Sequence, residues 1–152
     1  GLFNVIQNNL EIENLDTLDL FGGTGSISFE LASRGARHQV VVEKDPRMHA
    51  FITKTAQDLG LENLEVLRTD VFRFLRETDR KFDLVFAGPP YALAEIDEIP
   101  KLVFAQGLLK PGGWLILEHT PRNDYSTFPH FRTERKYGTT LFSIFTNRPE
   151  EA

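Results

Sequence analysis

The feature that most constrains the fold is a regular alternation of strand-length apolar runs with helical patterns. The apolar runs cover residues 15–21, 38–43, 64–68, 82–87 and 113–118, and the helical patterns cover 26–34, 46–59, 71–77 and 100–108. Strands that alternate with helices are joined by right-handed βαβ crossovers, which give a mostly parallel sheet with helices on both faces. The sequence therefore predicts an α/β fold.

The last part of the chain departs from this alternation. Residues of alternating character on both sides of Tyr137, Gly138 and Thr139 predict a β-hairpin. An antiparallel pair should therefore follow the five parallel strands. The peptide LLKPGGW, residues 108–114, is predicted to end the last helix, with Pro111 and two glycines forcing the turn.

Length and composition predict one domain over residues 1–152. A chain of 152 residues with 41% hydrophobic content can bury one continuous core. The absence of cysteine and of any unbroken apolar run of about 20 residues favours a cytoplasmic protein without a membrane span. Because Gly1 lies inside a helical pattern, we expect an upstream segment to precede this domain.

A glycine-rich peptide, DLFGGTGS, joins the first predicted strand to the first crossover helix. Three glycines within four residues favour a nucleotide-type ligand over a plain turn, because they let the backbone approach a ligand closely. The dinucleotide fingerprint requires a third glycine where Ser28 stands, which makes NAD the second choice. Asp19 also suits a cationic ligand better than a pyrophosphate, and it could brace the backbone amides of the loop with or without that role.

Acidic residues follow the next two strands. Glu43 closes the second strand, at a position where a carboxylate can accept both hydroxyls of a ribose. Asp45 precedes Pro46, an order typical of a helix N-cap followed by proline at the first helical position. Asp70 follows the third strand and could either cap the next helix or accept an adenine amino group.

These motifs, with GPPY after the fourth strand, resemble the S-adenosylmethionine-dependent methyltransferase fold in the order that this fold requires. More narrowly, LDLFGGTGSISFELASRGA, VVVEKD, FDLVFAGPPY and ERKYGTTLFSIF resemble the bacterial RsmD family, which methylates the exocyclic 2-amino group of a guanine in small-subunit ribosomal RNA. The similarity extends from about Gly1 to Phe145. It implies a Rossmann-like class I methyltransferase fold and a ribosomal RNA or assembling small subunit as partner.

The resemblance also implies a cofactor site. The methionine part of S-adenosylmethionine would lie over the glycine loop near Asp19, with Glu43 on the ribose and Asp70 with Val71 at the adenine. The residues implied to bind the cofactor are Asp19, Phe21, Gly22, Gly23, Thr24, Gly25, Glu43, Lys44, Asp70, Val71 and Phe72.

The peptide Gly88, Pro89, Pro90 and Tyr91 is the implied catalytic corner. In amino-methyltransferases an Asp or Asn side chain and a neighbouring backbone carbonyl accept hydrogen bonds from the target amine, and the aromatic ring stacks on the base. Such acceptors help to localise the poorly nucleophilic lone pair of a guanine amine. Here Gly88 replaces the Asp or Asn, which leaves the backbone carbonyls, with Glu95 or Glu118 as possible substitutes for the side chain.

Several alternatives remain open at this point. The same corner serves DNA adenine or cytosine amino-methyltransferases, and the loss of the acceptor at Gly88 is also compatible with a cofactor- or RNA-binding module that no longer catalyses. The net charge of −5 means that any RNA contact must be local, and the candidates for it are Arg122, Arg132, Arg135 and Lys136. The four histidines lack ligand spacing, so we expect no metal site. We also expect the enzyme to be a monomer.

Overall fold

The structure is a computed structural model that describes residues 1–148. Its helices and strands are α1 (Leu2–Asn9), β1 (Asp16–Leu20), α2 (Ser26–Ser33), β2 (His38–Val42), α3 (Pro46–Asp58), β3 (Leu64–Leu67), α4 (Val71–Glu77), β4 (Phe82–Ala87), α5 (Glu98–Ala105), β5 (Leu109–His119), β6 (Phe131–Tyr137) and β7 (Thr140–Thr146). Strands and helices alternate as far as β5, as predicted. Within residues 1–148, no helix is both long enough and apolar enough to cross a membrane.

The chain divides into two compact units, Gly1–Val71 and the residues from Phe72 onward. In the first unit, β2 lies between β1 and β3 and pairs with both in parallel. Its residues from Val40 to Val42 are fully buried, which explains why this part of the strand is apolar without polar alternation. The predicted parallel strands are confirmed for this unit.

In the second unit, β4 pairs in parallel with β5, and β7 pairs antiparallel with both β5 and β6. The turn at Gly138 and Thr139 joins β6 to β7, so the predicted C-terminal hairpin is confirmed. Most of β6 is exposed, whereas β7 is buried along most of its length. The hairpin therefore contributes one core strand and one exposed strand to this unit.

The end of α5 differs from the prediction. The helix ends at Ala105, and Gly107 has a left-handed backbone with φ of 64°. The Leu108 N–H donates to the Val103 carbonyl and the Gly107 N–H donates to the Phe104 carbonyl, which is the hydrogen-bond pattern of a Schellman motif. The helix stops earlier than expected because the first glycine after it already closes the last turn.

The two glycines in LLKPGGW therefore have a different role, since they belong to β5. Phe82 pairs with Leu109 but Leu84 pairs with Trp114, so β5 contains three more residues than β4 over the same stretch. Gly112 has φ of 81°, and a Cβ on Gly113 would lie 2.9 Å from the Lys110 carbonyl oxygen. This bulge requires glycine for both backbone conformation and space.

Tyr125 organises the segment that connects β5 to β6. Its side chain is fully buried, and its ring packs edge-on against His119 and Phe128 at centroid distances of 4.8 and 4.9 Å. Its hydroxyl donates a hydrogen bond of 2.9 Å to the Asp97 carboxylate, just before α5. Burial, together with the hydrogen bond and charge of Asp97, raises the pKa of Tyr125 and keeps the phenol protonated.

We predict that Tyr125→Phe lowers the free energy of unfolding by about 1–2 kcal/mol, because it removes one hydrogen bond to a charged acceptor and leaves the ring packing intact. Urea denaturation of the two proteins measures this difference. Tyr137→Phe is the matched control, since Tyr137 is partly exposed and its ring packs against Phe142 without a hydroxyl partner among residues 1–148. Equal stability of Tyr125→Phe and the wild-type chain would contradict the prediction.

Candidate active site

The first unit brings its predicted site residues together at one edge. Because β1, β2 and β3 are parallel, the loops after them leave the sheet on the same side. Backbone hydrogen bonds connect these loops directly: the Gly22 N–H donates to the Val42 carbonyl, and the Glu43 N–H donates to the Leu67 carbonyl. The glycine loop, Glu43 and the segment leading to Asp70 therefore form one continuous edge.

Asp19 is the buried carboxyl group of this edge. It lies near the end of β1, and Ser28 of α2 donates a hydrogen bond of 3.3 Å to its Oδ2. Burial raises the pKa of Asp19 to about 8; the Ser28 hydrogen bond opposes this shift and the charge of Glu43 adds to it. The alternative in which Asp19 braces backbone amides is wrong, because its partner is a side-chain hydroxyl. A cationic ligand would favour the ionised carboxylate.

The glycine loop has the conformation and the space that a ligand loop needs. Gly23 and Gly25 both have positive φ values, of 58° and 81°, and a Cβ on Gly22 would overlap the Val41 side chain. Phe21 also has φ of 66°, an uncommon conformation for a bulky residue and a source of local strain. The first turn of α2, which follows Gly25, has no side-chain cap, so its N–H groups remain suited to an anionic group.

Glu43 holds this loop in place. Its Oε1 accepts a hydrogen bond of 2.9 Å from the Gly23 N–H, and its Oε2 accepts one of 2.9 Å from the Asp45 N–H. Each carboxylate oxygen retains a second lone pair, so these bonds leave acceptor capacity for a ligand hydroxyl. Asp45 itself accepts from the Arg47 and Met48 N–H groups, which confirms it as the N-cap of α3.

The remaining predicted cofactor residues differ in their placement. Lys44 and Thr24 are exposed at the same edge, and Asp70 is exposed immediately before α4. Val71 is buried as the first residue of α4, whereas Phe72 belongs to the second unit. The contribution of Ser28 was missed by sequence reasoning, which treated this residue only as a break in the dinucleotide fingerprint.

The predicted catalytic corner follows β4 in the second unit. Pro89 is buried, which fixes the corner, whereas the Tyr91 side chain is 66% exposed. The Leu93 N–H donates to the Pro90 carbonyl and closes the turn. The corner therefore presents an aromatic ring to solvent on a rigid backbone.

Glu118 and His119 end β5 beside this corner. A Cβ built on Gly88 would lie 3.6 Å from Glu118 Oε1, so this carboxylate is next to the missing acceptor. Burial raises the pKa of Glu118. His119 is a packed core residue whose ring nitrogens contact the Thr120 carbonyl and the Ser143 hydroxyl at 2.9 and 2.7 Å.

Comparison with known proteins defines the class of this chain. It superimposes with a TM-score of 0.89 on a protein from Escherichia coli that is provisionally described as a methyltransferase, with 23% identity over 98% of this chain and 85% of that one. It superimposes with a TM-score of 0.76 on an RNA methyltransferase from Salinibacter ruber in complex with S-adenosyl-L-homocysteine, with 17% identity over 99% of this chain and 92% of that one. The fold is that of the Rossmann-like class I methyltransferases.

The family is equally clear. Residues 1–146 match the family described as conserved hypothetical protein 95. Ribosomal RNA small subunit methyltransferase D of Buchnera aphidicola is 25% identical over 96% of this chain and 76% of its own length. The protein of the same name from Escherichia coli is 25% identical over 78% of this chain and 60% of its own length. The chain belongs to the conserved hypothetical protein 95 family, and the resemblance to RsmD is confirmed.

The buried carboxyl of Asp19 predicts a specific pH dependence of stability. Between its ordinary pKa of 3.8 and the folded-state value of about 8, the folded chain retains a proton that the unfolded chain has released. Stability should therefore fall as the pH rises through this range, by at most about 1.4 kcal/mol per pH unit, and Asp19→Asn should lack this contribution.

Urea denaturation of the wild-type chain and of Asp19→Asn at several pH values from 5 to 9 measures this effect. The free energy of unfolding of Asp19→Asn relative to wild type should increase up to about pH 8 and then level off. Glu62→Gln, at an exposed position, is the control and should follow the wild-type profile. A constant difference between Asp19→Asn and wild type would show that Asp19 does not titrate in this range.

Proposed function

We propose that the protein transfers a methyl group from S-adenosylmethionine to the exocyclic amino group of a guanine in small-subunit ribosomal RNA. The observation that carries this proposal is the exposed Tyr91 on the rigid Pro-Pro corner, in a chain that also has a glycine loop beside the buried Asp19. The named activity of the Buchnera aphidicola and Escherichia coli relatives supports ribosomal RNA as the substrate.

The first unit offers groups of the right charge for each part of the cofactor. Asp19 would attract the cationic methionine part, and the uncapped first turn of α2 would receive the methionine carboxylate. Glu43 would accept the ribose hydroxyls, and Asp70 with Val71 would contact the adenine. Lys44 and Phe72 would lie beside them. When bound, the cofactor supplies an activated methyl group on a sulfonium.

The second unit would hold the base. The Tyr91 ring would stack on the guanine, and the Gly88 and Pro89 carbonyls would accept hydrogen bonds from the amine and so orient its lone pair. This chemistry requires neither a metal nor a covalent intermediate, and one copy of the chain supplies all of these groups. Exposed basic residues would contact the RNA backbone; they are Arg122, Arg132, Arg135 and Lys136.

The proposed activity predicts methyl incorporation from labelled S-adenosylmethionine into small ribosomal subunits from cells that lack the modification. Nucleoside mass spectrometry of the product should show N2-methylguanosine. Methylated adenine or cytosine in DNA, tested in parallel, would instead indicate a DNA amino-methyltransferase. If the protein binds S-adenosylhomocysteine but methylates neither nucleic acid, the proposed function is wrong and a binding module remains.

The proposed stacking role predicts different effects for two substitutions of Tyr91. Tyr91→Ala should raise the KM for RNA or lower kcat/KM by about tenfold or more, because stacking of a base on an aromatic ring contributes about 1–3 kcal/mol. Tyr91→Phe keeps the ring and should retain most of the activity. Urea denaturation should show both variants as stable as wild type, since the side chain is exposed. Equal activity of the two variants would contradict stacking.

A further inference from the structure

A carboxylate stands where the catalytic corner lacks its side-chain acceptor. Ala87 of β4 pairs with Leu117 of β5, so the next residues along these parallel strands, Gly88 and Glu118, lie side by side. A Cβ on Gly88 would be 3.6 Å from Glu118 Oε1. The Glu118 carboxylate therefore occupies the neighbourhood that an Asp or Asn side chain at position 88 would reach.

This carboxylate has no partner among the residues that the structure describes. Glu118 is half-buried, yet it makes no hydrogen bond or ion pair with any residue in the 1–148 range. The residue that faces it on β7 is Phe142, which carries no charge, and Gly88 carries none on the other side. A desolvated carboxylate without donors is costly, and a donor from outside the chain would satisfy it.

We infer that the Glu118 carboxylate accepts a hydrogen bond from the target amine, in place of the side chain that Gly88 lacks. This inference rests on the proposed function, because it assigns the acceptor for the same guanine amino group. Glu118 would share this group with the Gly88 and Pro89 carbonyls. The raised pKa of Glu118 is consistent with an acceptor that also takes up a proton.

Glu118 can also accept the proton that the amine must lose during methyl transfer. The amine nitrogen forms a bond to the methyl carbon as the sulfur–carbon bond breaks, with the bonding electron pair remaining on sulfur. The nitrogen must lose one proton to become a neutral secondary amine. Glu118 takes up this proton and releases it to water, which restores the carboxylate for the next turnover.

The surroundings of Gly88 determine which side chains this position could carry beside Glu118. Gly88 does not have a left-handed backbone, so its conformation alone does not require glycine. An Asp at this position would place a second carboxylate beside Glu118, and the two like charges would oppose each other's ionisation. An Asn would supply an acceptor without charge, and its Cβ would lie 3.2 Å from the Phe86 ring, which must move slightly to admit it.

The first experiment tests binding, independently of methyl transfer. An RNA fragment carrying the target guanine is compared with the same fragment carrying inosine, which lacks the 2-amino group, in the presence of S-adenosylhomocysteine. Fluorescence anisotropy should show that the wild-type protein binds the guanine fragment about tenfold more tightly, as expected for loss of one hydrogen bond to a charged group. Glu118→Ala should lose most of this preference and keep only the part that the Gly88 and Pro89 carbonyls supply.

The second experiment separates an acceptor from a structural role by kinetics and rescue. Glu118→Ala should lower kcat about 100-fold with little change in the KM for RNA, whereas Glu118→Gln, which keeps an acceptor oxygen but cannot take a proton, should lower kcat about tenfold. Gly88→Asn in the Glu118→Ala background should restore part of the lost activity. Glu98→Ala, at an exposed carboxylate in the first turn of α5, is the matched control and should behave as wild type.

The outcomes distinguish the inference from the proposed function. An active wild-type enzyme with an equally active Glu118→Ala, or a wild-type protein that does not discriminate guanine from inosine, would overturn the role of Glu118 and leave the proposed function intact. Discrimination without methyl transfer would support the contact and overturn the proposed activity. Loss of activity in Glu118→Ala without rescue by Gly88→Asn, and with unchanged discrimination, would show that Glu118 supports the structure only.

Discussion

The edge formed by the glycine loop, Glu43 and the segment leading to Asp70 depends on parallel strand pairing in register. Leu20 pairs with Val42, and Val42 pairs with Leu67, so three strands end at the same level. Residues that are more than twenty positions apart in sequence thereby become neighbours without a specific contact between their side chains. Glu43 then joins two of the loops by accepting from Gly23 and Asp45. Parallel pairing supplies the edge, and the Glu43 carboxylate fixes the conformation of the loops on it.

The edge has a cost in stability that the proposed binding of a cationic ligand would explain. The Asp19 carboxyl is desolvated in the folded chain, and within residues 1–148 the hydrogen bond that partly compensates it comes from Ser28. An apolar residue at this position would pack without that penalty. A cationic ligand would provide the missing compensation, so the same burial that weakens the unliganded fold increases the gain on binding. The strained backbone of Phe21 is a second feature of this edge that lowers the stability of the folded chain.

Much of the fold was predictable from the sequence because the relevant signals are local. Buried parallel strands are continuous apolar runs, and Asp45 followed by Pro46 marks the start of α3. The hairpin and the glycine loop were also predicted from short patterns. The position of Glu118 was not predictable, because it depends on which residue of β5 faces the end of β4. The left-handed Phe21 carries no sequence signal, since a bulky residue is not expected there.

The bulge near the start of β5 has a consequence for the chemistry at its other end. If all residues of β5 paired continuously from Leu109, without the bulge, Trp114 would stand opposite Ala87, where Leu117 stands now. Because side chains alternate between the two faces of a strand, an odd number of inserted residues also exchanges the faces for every position that follows. Gly112 and Gly113 thus determine which face of the sheet each later side chain of β5 lies on. The Glu118 carboxylate lies beside Gly88 because the distant bulge at Gly112 and Gly113 adds an odd number of residues to β5.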